Sequence, residues 1–67
     1  MSPELDWLIA EFGEGCATTI MLSCQADPSQ IDTICIREYE PFDPKRQTFR
    51  KSMRAVLEQM DQMEAKP

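Results

Sequence analysis

Arg46, Arg50 and Arg54 recur every four residues, a spacing that sets three guanidinium groups in a row along a helix. Lys45 and Lys51 widen the row. The chemistry on offer is anion capture: phosphate contact, docking on an acidic protein surface, or neutralisation of the chain's own acids, Glu38, Glu40 and Asp43 among them. These bases fall near the start of the expected helix, where positive charge opposes the backbone dipole, so their placement argues for a task other than helix stability. The rest of the charge is sorted the other way. Residues 1–44 carry Glu4, Asp6, Glu11, Glu14, Asp27, Asp32, Glu38, Glu40 and Asp43 against Arg37 alone, and the formal net charge is -5. An acidic body joined to a basic segment suits electrostatic docking.

Other chemistry is thin. The chain has no histidine, so the commonest general base is missing. No residue stands out as catalytic and the chain is not expected to be an enzyme. Cys16, Cys24 and Cys35 contain no C-x-x-C clamp and cannot all pair within one chain, so they read as reduced structural residues. No metal site or cofactor is expected, because the scattered acids form no EF-hand-like run and no glycine-rich phosphate loop is present.

At 67 residues the chain makes a single small domain over 1–67, near the lower limit for folding on its own core. Ser2-Pro3-Glu4 is a helix start, Leu5, Leu8, Ile9 and Phe12 share one helical face, and Gly13 stops it, predicting a helix over 3–12. Trp7 lies off that stripe, either capping the core edge or anchoring a partner. Residues 16–26 and 31–40, rich in Thr and Ile, read as two strands joined by Asp27-Pro28-Ser29-Gln30 as a hairpin turn. The rival reading of Asp27-Pro28 as a helix cap is set aside because Thr33, Ile34 and Ile36 favour a strand. In that register Met21, Ile34 and Ile36 form an apolar island on the outer hairpin face. Glu40-Pro41-Phe42-Asp43-Pro44 is a stiff connector into a helix over 44–64, with Phe49, Met53, Val56, Met60 and Met63 as its stripe and Leu57 broadening it. The expected architecture is α+β, helix–hairpin–helix (αββα). Because a two-stranded sheet is marginal alone, a homodimer closing over Met21, Ile34 and Ile36 is expected.

The expected function is a protein-binding module that acts stoichiometrically as an inhibitor or adaptor. Its contacts would draw on Glu11, Glu14, Glu38, Glu40, Arg46, Arg50, Arg54 and Trp7. In size, acidity and lack of catalytic groups the chain resembles, in type, the small standalone proteins of phages and mobile elements that block host machinery by binding it. Anti-CRISPR proteins are one such group. Two rivals stand beside it: a dimeric nucleic-acid-binding regulator using the arginine row, and a small subunit or chaperone of a larger assembly using Met53, Met60 and Met63. The acidic N-terminus does not read as a signal peptide and no apolar run reaches the ~20 residues of a membrane span, so a cytoplasmic location is expected, the host's cytoplasm if phage-encoded.

Overall fold

Local signals at the N-terminus act as their residue types dictate. In the computed structural model, which describes residues 2–64, the Ser2 hydroxyl accepts the Leu5 N–H at 3.2 Å and Pro3 opens helix α1, Pro3–Phe12. Gly13 then serves two helices. Its φ of 86° and ψ of 154° suit glycine alone, its N–H donates to the Ile9 carbonyl at 2.8 Å, and its own carbonyl accepts the Ala17 N–H at 2.8 Å. One residue therefore ends α1 and begins α2, Glu14–Ala26.

The two expected strands are helices. Residues 16–26 lie in α2, and most of 31–40 lies in α3, Gln30–Glu38, so no hairpin and no strand exist among the described residues. The α+β αββα reading is overturned: the chain is an all-helical, compact four-helix domain, completed by α4, Lys45–Glu64. The physical reason is periodicity. Ala17, Ile20 and Cys24 are buried with Met21 packed beside them, a spacing of three and four. Ile31, Ile34 and Cys35 repeat it in α3. Burying a stripe is worth several kcal/mol, about 1.5–3 for each large side chain, against the few tenths per residue that β-branched residues forfeit in a helix. The threonines fit by turning their hydroxyls back on the helix: Thr18 donates to the Glu14 carbonyl at 2.9 Å and Thr19 to that of Gly15 at 3.1 Å.

Asp27 is a cap, not the first residue of a hairpin turn. Its carboxylate accepts the Ser29 N–H at 3.1 Å and the Ser29 hydroxyl at 2.7 Å, while the Asp27 and Pro28 carbonyls take the N–H groups of Gln30 and Ile31. The chain winds from that turn straight into α3. The Ser29 hydrogen bonds hold the Asp27 carboxyl below the usual carboxylate range.

Helix α4 packs against all three of the others. Phe49, Met53 and Val56 are buried on its inner face, and Leu57 and Met60 lie against the same core. Phe49 meets Phe12 edge-on at 5.8 Å between ring centres and Tyr39 at 6.0 Å, so one aromatic cluster joins α1, the end of α3 and α4. The apolar stripe outruns the core: Met63 remains 75% exposed. Among the described residues no helix is long and apolar enough to cross a membrane.

Candidate functional site

Each fourth residue on a helix advances by about 40° around the axis, so the arginine row fans outward as it climbs α4. The three members end in different surroundings. Arg46 turns inward, and its Nε and a terminal nitrogen donate to the Tyr39 carbonyl at 3.1 and 2.8 Å. Arg50 reaches α3, where Nε donates to Asp32 Oδ1 at 2.9 Å. Arg54 is exposed and makes no ion pair among the described residues. Lys45 pairs with Glu11 at 3.2 Å, whereas Lys51 is exposed and, among the described residues, unpaired. The chain thus neutralises some of its own charge, but through Glu11 and Asp32. Glu40 and Asp43 make no ion pair among the described residues, and Glu38 meets only its neighbour Arg37, at 3.3 Å.

Glu11 is structural as well as acidic. Its Oε1 takes both the Lys45 ammonium and the Tyr39 hydroxyl, the latter at 3.0 Å. Burial raises the Tyr39 hydroxyl well above the ordinary phenol value, and the hydrogen bond and charge of Glu11, with the charges of Glu38 and Asp43 nearby, push it the same way. That tyrosine stays a neutral donor holding the ends of α1 and α3 together. Glu11 and Arg46 are therefore committed within the fold.

Trp7 packs against the core from α1 and keeps part of its ring in solvent. It lines a shallow depression between α1 and α4 with Pro3, Glu4, Thr48, Lys51 and Ser52. Lys51 also lines a second depression on the outer side of α4, with Gln47, Arg50, Arg54, Ala55 and Glu58. Of the sequence-derived residues, Arg50 and Arg54 share the outer hollow and Trp7 lines the other, with Lys51 common to both. Glu14, at the start of α2, is exposed, as are Glu38 and Glu40 at the end of α3.

The apolar island vanishes with the hairpin. Ile34 is in the core at 4% exposure, Met21 lies half-buried against that core, and Ile36 points outward at 58% exposure. Sequence reasoning missed Phe42, at 99% the most exposed large apolar side chain among the described residues. The available signal was its position: an aromatic between Pro41 and Pro44, in the connector and outside the stripes of the elements on either side.

Cys24 and Cys35 are buried and Cys16 is exposed, all as free thiols. Burial, reinforced by the charge of Asp27, pushes the Cys24 thiol up, so it is a poor nucleophile at neutral pH. The described residues gather no group of three potential metal ligands. What the surface offers is an aromatic ring beside Lys51, with Arg54 in the adjoining hollow of α4, both cations unpaired among the described residues, an arrangement suited to binding an acidic surface. No family model matches the chain, and no curated protein and no solved structure matches it either.

Proposed function

We propose that the chain is a stoichiometric protein-binding module, an inhibitor or adaptor that works by covering a partner's surface. The observation that carries this reading is the pairing pattern on α4. Lys51 and Arg54 are exposed and unpaired among the described residues, Lys51 beside the half-buried Trp7 and Arg54 in the adjoining hollow of α4, while Lys45, Arg46 and Arg50 are held by Glu11, Tyr39 and Asp32. The partner presents carboxylates to Lys51 and Arg54, which orient the approach, and an apolar contact to Trp7, which slows dissociation. We assign the module to the cytoplasm, a reading supported by three cysteines that form no pair with one another. Nucleic acid is the weaker reading of the same surface, because only two of the five clustered bases are free to release counterions from phosphates, on a chain of net charge -5.

Capture of a tagged full-length chain from the cells that make it, with and without nuclease, tests the reading. The expected result is one protein retained in near-equal amount after nuclease treatment and lost from a Trp7→Ala chain that keeps its helical spectrum. Retention that disappears with nuclease overturns it in favour of nucleic-acid binding.

A further inference from the structure

The connector between α3 and α4 exposes an aromatic ring on a backbone that is tied down on both sides. Asp43 N–H donates to the Glu40 carbonyl at 3.0 Å, closing a reverse turn with Pro41 and Phe42 at its corners, and Pro41 fixes its own φ. On the far side Asp43 Oδ1 accepts the Lys45 N–H at 2.9 Å and the Asp43 carbonyl accepts that of Arg46 at 3.0 Å. On the near side the Arg46 guanidinium grips the Tyr39 carbonyl with two hydrogen bonds. The ring carried on this fixed backbone is 99% exposed and contributes nothing to the core.

The charge around that ring has one sign to spare. Glu40 and Asp43 flank it without an ion pair among the described residues. Of the nearby bases, Lys45 is paired with Glu11, and Arg46, which keeps its charge, is turned inward with its donors on the Tyr39 carbonyl, so the two free carboxylates outnumber the one uncompensated base. The C-terminal end of α3, three residues before the turn's corner, adds the negative pole of its dipole. An anionic membrane surface or a phosphate backbone is repelled by such a field, whereas a basic protein surface is attracted. A turn whose backbone is fixed in advance loses little freedom on docking, which favours a fixed pocket as its receptor.

We infer that the Phe42 turn is a docking anchor: a partner protein receives the Phe42 ring in an apolar pocket whose rim carries lysines or arginines facing Glu40 and Asp43. This surface is separate from the Trp7, Lys51 and Arg54 face and stands without it. The ring is the energetic centre and the two carboxylates set the orientation.

The test replaces Phe42 with photoreactive benzoylphenylalanine in the full chain and irradiates it in the cells that make it. The expected result is one labelled protein, joined through a segment that carries Lys or Arg beside apolar residues. Excess unlabelled chain suppresses the labelling at least tenfold, while Phe42→Ala and the Glu40→Lys/Asp43→Asn pair compete at least tenfold more weakly. Because the ring supports no packing and an asparagine oxygen still accepts the Lys45 N–H, both competitors retain the helical spectrum, recorded by circular dichroism. The inference is overturned if labelling does not exceed that from the same probe at exposed Gln59, if Phe42→Ala competes as well as the unaltered chain, if the labelled segment lacks bases, or if the labelled protein is a second copy of this chain.

Discussion

Cysteine exposure divides three chemically identical side chains into two classes. Cys16 sits on the outer side of α2, Cys24 and Cys35 are wholly buried, and the Cys24 thiol is also raised by burial. In the folded protein one thiol should react promptly with dithionitrobenzoate and the other two only as fast as the helices open, with all three reacting at once in strong denaturant. Three prompt equivalents in the native protein would contradict the packing of α2 and α3. At this scale the spacing of the cysteines offered no pairing framework, but which ones are buried depends on helical phase, and Cys16, read as structural, is exposed. The roles of the arginines were legible only as a class. Nothing in the four-residue repeat tells Arg46, bound to a carbonyl, from Arg54, left in solvent; that follows from the angle at which α4 meets its neighbours.

At the scale of elements, two glycines two residues apart should answer the same substitution with opposite signs. A Cβ would meet nothing within 4 Å at Gly13 or at Gly15, so neither change is opposed by a clash. Gly13 needs a φ of 86° with an extended ψ, whereas Gly15 is helical. Gly13→Ala should therefore destabilise by about 1–3 kcal/mol and Gly15→Ala stabilise by about 0.5–1 kcal/mol, read from urea melts. If both shifts carry the same sign, the α1–α2 junction is not as described. The outer helices were readable because caps, prolines and stripe agreed there. The inner pair was misread because its two signals conflict. Thr18, Thr19, Ile20, Ile31, Thr33, Ile34 and Ile36 favour extended backbone, while Ala17, Ile20, Met21 and Cys24 already carry the helical spacing. Ile20 and Ile34 serve both patterns. Burial against α4 decides between them, and that is a tertiary quantity with no local trace. Asp27-Pro28 fits a turn or a cap equally well, so it could not break the tie.

The whole molecule is a small core under a surface divided by sign. A domain this size holds only about 3–5 kcal/mol in reserve, and four short helices spend most of their apolar residues on one shared core. The side chains left wholly or partly outside are correspondingly informative: Phe42 on its turn, Trp7 beside Lys51, and Arg54 in the adjoining hollow of α4. The central claim is that binding depends on the position of free charge on α4 and not on the net charge of the chain. Arg54→Glu and Arg37→Glu shift the net charge equally, yet Arg54 lies on the proposed face and Arg37 sits on α3 beside Glu38. The decisive measurement is the calorimetric affinity of each variant for the nuclease-resistant partner, with helicity checked in parallel. The account predicts at least a tenfold loss, about 1.4 kcal/mol, for Arg54→Glu and less than a twofold change for Arg37→Glu. Equal losses, or no loss from Arg54→Glu, would contradict it.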